Sequence, residues 1–264
     1  MIIPFLKMHG LGNDFVIVDK TKNIIPDDKQ LIVQMSDRHT GIGCDQFIVL
    51  DTSETADVFM HIYNWDGSVA GACGNATRCV ASLYMDNKDT CKIETISGIL
   101  DCEKIGNDIR VNMGMAKTNW NEIPLANETD ASKLEIAGFT GFCVNMGNPH
   151  IVITVDDAEK VDLAKFGSQI ENDPIFPDKV NVEFISKTAD GVRMRVWERG
   201  GMITKACGSG ACAVFVACNK QGICGNELLV HLDGGDLTLS YNESQEVLMC
   251  GGFTTSFSGD FNYE

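Results

Sequence analysis

The chain has little of what usually announces a cofactor or a polyanionic partner. Lysine and arginine total 21 against 37 aspartates and glutamates, a formal net charge of −16. Nucleic acids and anionic membrane surfaces select clustered basic side chains, so neither is expected as a partner. No run of about 18 apolar residues occurs. The opening MIIPFLKMHG is broken by Pro4, Lys7 and His9 too early for an export signal. A soluble, cytoplasmic protein is the expectation. There is no G-x-x-x-x-G-K-[ST] phosphate loop, Gly41-Ile42-Gly43 lacks the third glycine of a dinucleotide loop, and Gly208-Ser209-Gly210 is not a nucleophile elbow. The five histidines, His9, His39, His61, His150 and His231, lack metal-ligand spacing. Neither a metal nor an organic cofactor is expected.

Cysteine is the exception, with eleven. An odd count in a long chain argues against a disulfide framework. No C-x2-C pair exists, and Cys207 and Cys212 would point about 140° apart on a helix, so a structural zinc site is a poor fit. Cys44, Cys79, Cys91, Cys102, Cys143, Cys212, Cys218, Cys224 and Cys250 read as small buried hydrophobes.

The remaining two sit in an internal repeat. Val58–Tyr84 and Val192–Cys218 align without a gap: Val58 with Val192, Met60 with Met194, Ile62 with Val196, Asn64 with Glu198, Gly67 with Gly201, and Ala72-Cys73-Gly74 with Ala206-Cys207-Gly208. Upstream, Gly12-Asn13-Asp14-Phe15 matches Gly147-Asn148-Pro149-His150, each a turn launching a β-branched run. Strands are expected at Phe47–Leu50, Asp57–Tyr63, Asp108–Asn112, Arg193–Trp197, Leu228–Leu232 and Leu237–Ser240, and helices after Cys73 and Cys207, the second stopping at Gly222. Residues 116–138, with Pro124, read as a linker. At 264 residues and 44% hydrophobic content the chain can bury two modest cores. The fold class is therefore α+β, in two pseudo-symmetric halves: residues 1–117 with Cys73, and 118–264 with Cys207.

A thiol at a helix N-terminus is expected to ionise more readily than a free one, because backbone N–H groups and the helix dipole favour the thiolate. Gly74-Asn75 and Gly208-Ser209 would offer N–H groups to a carboxylate. A carboxylate so held places its α-carbon where one thiolate removes a proton and the other thiol returns one to the opposite face. An isolated Ala-Cys-Gly reads first as a tight turn with a buried thiol; the duplication favours catalysis. His150 and Glu198 are polar residues in apolar surroundings, each open to a structural or a catalytic reading. Arg199 could clamp a second carboxylate or simply be solvated. Asn64 and Asn181 are ordinary turn residues on this reading.

Eight ordered blocks then resemble the diaminopimelate epimerase family: HGLGNDF (9–15), GIGCDQ (41–46), NWDGS (64–68), ACGNATRC (72–79), MGNPH (146–150), NVEF (181–184), ERGG (198–201) and ACGSGAC (206–212). The resemblance implies two α/β halves, each a strand layer or barrel around a central helix, with the segment from about 252 packing back on the first. It implies interconversion of LL- and meso-diaminopimelate, in lysine and peptidoglycan-precursor synthesis, with Cys73 and Cys207 as the two bases. It also implies no pyridoxal phosphate, no metal, and a homodimer. By position, Asn13, Gln46, Asn64, Asn148, Asn181 and Arg199 would hold substrate, Gly74, Asn75, Gly208 and Ser209 the reacting carboxylate, and His150 and Glu198 would support catalysis near the substrate amino group. Ala76, Ser209 and Cys44 depart from the commonest pattern without removing a reacting group, and residues 252–261 match less well. A proline-racemase-like or hydroxyproline-epimerase-like enzyme is the main rival, a phenazine-biosynthesis-like isomerase a weaker one. A thiol-based redox sensor or metal-storage protein is the alternative from another class.

Overall fold

The computed structural model describes residues 1–263 and divides the chain into two units, Met1–Val111 with the C-terminal segment from Gly251, and Asn112–Cys250. Unit 1 contains strands β1 (Ile2–Gly10), β2 (Asn13–Asp19), β3 (Gln46–Asp51), β4 (Val58–Asn64), β5 (Val69–Ala70), β6 (Thr90–Thr95), β7 (Gly98–Ile105) and β8 (Asp108–Asn112). Its helices are α1 (Lys29–Ser36) and α2 (Gly74–Leu83). Unit 2 contains β9 (Leu134–Ile136), β10 (Phe139–Asn145), β11 (Pro149–Thr154), β12 (Asn181–Lys187), β13 (Val192–Glu198), β14 (Met202–Ile203), β15 (Glu227–Leu232), β16 (Gly235–Tyr241) and β17 (Val247–Gly251). Its helices are α3 (Leu163–Glu171) and α4 (Gly208–Lys220). The chain closes with β18 (Thr254–Asn262), which returns to unit 1.

The two ladders are copies. In unit 1, β18, β1 and β2 are antiparallel, β2 runs parallel to β3, β3 antiparallel to β4, β4 parallel to β6, and β6, β7 and β8 are antiparallel. Unit 2 repeats this order with β9, β10, β11, β12, β13, β15, β16 and β17. β18 thus fills in unit 1 the place that β9 fills in unit 2, although it comes from the opposite end of the chain.

Each ladder curls around a helix. α4 packs against β10, β11 and β12 and also against β15 and β16. Its residues Gly210–Cys218 are all buried, so this stretch has no solvent face. An all-round apolar helix is stable only inside such a wrap, which explains the small residues and cysteines of GSGACAVFVAC. α2 packs against β1, β6 and β7 and is buried from Gly74 to Ala81. Strands that meet the central helix on one face and water on the other alternate, as Val58, Met60 and Ile62 of β4 do. β3 and β11, covered on both faces, read as continuous apolar runs instead.

Two features depart from the sequence reading. Residues 116–138 are not a linker: Ile123, Leu125, Ala131, Leu134 and Ile136 are buried in the unit 2 core with Phe184 and Leu163, and β9 pairs with β10. Helices α1 and α3 also lie outside the sequence expectations. Each begins on an aspartate whose side chain caps the first turn, Asp28 accepting from Gln30 N–H and Asp162 from Lys165 N–H. Among the described residues no helix is long and apolar enough to cross a membrane.

Candidate active site

Each repeat delivers its cysteine as the N-cap of the central helix. Cys73 has extended backbone, and its Sγ accepts from Ala76 N–H at 3.5 Å. Cys73 Sγ also lies 3.7 Å from Asn13 Oδ1, which accepts from Asn75 Nδ2 at 3.2 Å. Asn13, Cys73 and Asn75 therefore form one cluster. It closes because Gly10, at the end of β1, lets the first turn of α2 approach: a Cβ there would lie 3.1 Å from Asn75 O and 3.0 Å from Arg78 Nη2.

Asn13 is braced by a charge network not singled out from sequence. Its Nδ2 donates to Asp45 Oδ2 at 2.9 Å. Asp14 receives both terminal nitrogens of Arg38, at 2.7 and 3.0 Å, and the ammonium of buried Lys7. Burial opposes ionisation of Asp14, but the hydrogen bonds from Arg38 and Lys7 prevail and hold its carboxyl well below the usual carboxylate range. Both acids stand in motifs already noted, Asp14 in GNDF and Asp45 in GCDQ.

Gln46 and Asn64 face each other across β3 and β4, with Gln46 Nε2 donating to Asn64 Oδ1 at 3.3 Å and Asn64 Nδ2 to Ser68 Oγ at 2.9 Å. They form a second cluster in unit 1.

In unit 2, Cys207 caps α4 but is only 7% exposed, and its Sγ lies 3.7 Å from Ser209 Oγ. Here the expectation of an easily ionised thiol is reversed. Burial, reinforced by the nearby carboxylates Glu198 and Glu183, pushes the Cys207 thiol up, outweighing the Gly210 N–H and Ser209 hydroxyl that favour the thiolate. A helix terminus lowers a thiol, but enclosure away from water raises it, and at Cys207 enclosure prevails.

His150 and Glu183 are both fully buried, with His150 Nδ1 2.7 Å from Glu183 Oε1 and Nε2 2.9 Å from Asn148 Oδ1. Asn148 and His150 thus touch directly, and Glu183, which the sequence reading does not single out, holds the other ring nitrogen. Asn181 is also buried and clips two loops: its Nδ2 donates to Pro149 O at 2.8 Å and its Oδ1 accepts from Arg199 N–H at 2.9 Å. Arg199 is exposed, with Nη1 donating to Asp178 O at 3.2 Å. Glu198, half-buried at the end of β13, accepts from the Thr204 hydroxyl. Gly208 is buried and Ser209 half-buried in the first turn of α4, where a helix leaves N–H groups without intrahelical acceptors. Among the described residues no three His, Cys, Asp or Glu side chains converge as metal ligands would.

The relatives agree with this architecture. The model of the family described as diaminopimelate epimerase matches residues 5–119 and 142–255. A diaminopimelate epimerase of Rhodospirillum centenum is 45% identical over 99% of this chain and 93% of its own length. Among solved structures, a phenazine biosynthesis protein of Bacillus anthracis superposes with a TM-score of 0.73 at 14% identity, covering 100% of both chains. A hydroxyproline epimerase of Agrobacterium vitis gives 0.72 at 13%, over 98% of this chain and 91% of that one. Identities so low speak for a shared fold alone. The match to the family model over most of the chain and the 45% identical relative decide the family: the chain belongs to the diaminopimelate epimerases.

Proposed function

We propose that the protein interconverts LL- and meso-diaminopimelate by two-base proton transfer at one α-carbon. The observation that carries the reading is the duplicated cysteine N-cap, one per unit, within a chain of this family. Inverting a carbon acid requires one group to remove the proton and another to return one to the opposite face. In this scheme the thiolate of one cysteine takes the α-proton, the C–H electron pair passes into the substrate carboxylate, and the thiol of the other gives its proton to the α-carbon. The pair of sulfurs ends with its protonation states exchanged. Burial and the nearby Glu198 and Glu183 push the Cys207 thiol up, which suits it to the donor's part. Helix N–H groups at Gly74-Asn75 and Gly208-Ser209 stabilise the negative charge that grows on the reacting carboxylate.

Asn13, Gln46, Asn64 and Asn148 supply neutral donors and acceptors to the substrate, and Arg199 a planar fork for its distal carboxylate. Asn181 acts by holding the Arg199 backbone. His150 and Glu198 support catalysis near the amino group. The reading needs no pyridoxal phosphate or metal and places the protein in the cytoplasm, in lysine and peptidoglycan-precursor synthesis. We also infer a homodimer, supported by the exposed Ile2 on β1 and Phe257 on its partner β18; sedimentation at the monomer mass would contradict it.

The direct test is replacement of each cysteine. Cys73→Ala and Cys207→Ala should each abolish epimerisation while retaining the wild-type circular dichroism spectrum. Near-normal turnover by one of the folded variants would refute the two-base scheme.

A further inference from the structure

The two ladders pair residue for residue, so equivalent positions can be read off their registers. Phe15 pairs with Gln46 across the parallel β2 and β3, as His150 pairs with Asn181 across β11 and β12. Ile48 pairs with Ile62, as Glu183 pairs with Val196. Phe15 and Ile48 are therefore the unit 1 counterparts of His150 and Glu183, and all four are fully buried. Where one half has an apolar pair, the other has an acid and a histidine. Burying two such groups costs several kcal/mol unless their partners are well placed, and the fold of unit 1 shows that the architecture does not require them.

The first turn of the helix differs in step. Ala76 stands in α2 where Gly210 stands in α4. A Cβ on Gly210 would lie 2.7 Å from Glu183 Oε1, 2.9 Å from Met194 Cε and 3.3 Å from Cys207 Sγ. The missing methyl is the space through which the Glu183 carboxylate comes up to the cysteine. Glu183 Oε2 is buried with no hydrogen-bond partner among the described residues, so part of that carboxylate is held at an energetic cost.

We propose that Glu183 is a positioning residue: its carboxylate fixes the ring of His150 through Nδ1 and sets an acid beside the Cys207 sulfur, making the two cysteine sites unlike. With Nδ1 committed as the donor to Glu183, Nε2 is directed at Asn148, whose amide can turn either atom towards it. Glu198 is the second acid of unit 2 that raises Cys207, and Asn64 occupies its place in unit 1. Both acids add to the burial that pushes the Cys207 thiol up. The consequence for turnover rests on the two-base reading; the effect on the thiol does not.

The experiment is a titration of the ultraviolet thiolate absorbance, taken as the difference between a protein and its Cys207→Ser counterpart, in the wild-type and Glu183→Gln backgrounds. The amide keeps the shape and an acceptor for Nδ1 but removes the acid. The Cys207 midpoint should fall by about one pH unit, the scale of a nearby like charge. Turnover should also drop about tenfold, as when a carboxylate that orients a histidine is lost. Glu183→Ile, which copies Ile48, repeats the test if the glutamine variant does not fold. An unchanged midpoint in the folded variant overturns the proposal, whatever the turnover. A shifted midpoint in a protein that never epimerises diaminopimelate would uphold it and refute the function instead.

Discussion

Cys73 and Cys207 cap equivalent helices, yet one is half-buried beside amides and the other is enclosed beside two acids. That contrast was not legible from Ala-Cys-Gly, because ionisation depends on what the fold packs beside the sulfur, and Glu183 arrives from a strand 24 residues upstream. It could be found only by setting Gln46-Phe47-Ile48 against Asn181-Val182-Glu183. A separate pH effect belongs to Asp14. Its carboxyl is depressed in the folded protein, so its contribution is complete above the unfolded value near about 3.9 and is lost as the pH falls below that. Asp14→Asn should therefore be less stable at neutral pH, and the gap to wild type should narrow as urea unfolding is repeated from neutral pH down towards about pH 3. A gap independent of pH would remove the ionised Asp14 from the account. Arg38 is more than half exposed, so the effect should be modest, about 1 kcal/mol.

At the scale of elements, the helices after the two cysteines and the main strands were legible because the chain writes them twice. Gly222, expected as the stop of α4, does follow its C-cap Gln221 with φ +70°. The segment 116–138 resembles a linker in sequence because Pro124 and its polar residues hide the spacing of Ile123, Leu125, Leu134 and Ile136, which the packed core reveals. The close approach at α4 gives a sharp prediction. Gly210→Ala must displace the Glu183 carboxylate or Met194, costing about 1–3 kcal/mol by overpacking and most of the turnover. Chemical denaturation and steady-state kinetics would check both, and an active, fully stable variant would contradict the geometry.

For the whole molecule, β18 shows that the duplication is not a simple head-to-tail repeat: the strand that β9 supplies locally to unit 2 is supplied to unit 1 from the far end of the chain. Truncation after Gly252 should leave the β1 edge exposed beside buried Ile3 and lower the melting temperature, with unit 1 losing amide-exchange protection first. Equal loss in both units would count against this assignment. The weak sequence signal of β18 reflects its exposure, since Thr254–Ser258 are all solvent-facing and carry no apolar alternation.

The central claim is that the paired cysteines invert one α-carbon. It is tested most directly by incubating the reduced protein with LL-diaminopimelate in deuterium oxide and following both isomers at early times. The account predicts meso product carrying deuterium at the inverted carbon while unreacted LL substrate keeps its proton, because donor and acceptor are different groups. Deuterium entering substrate as fast as product would contradict the two-base scheme, and exchange confined to proline or hydroxyproline would contradict the substrate.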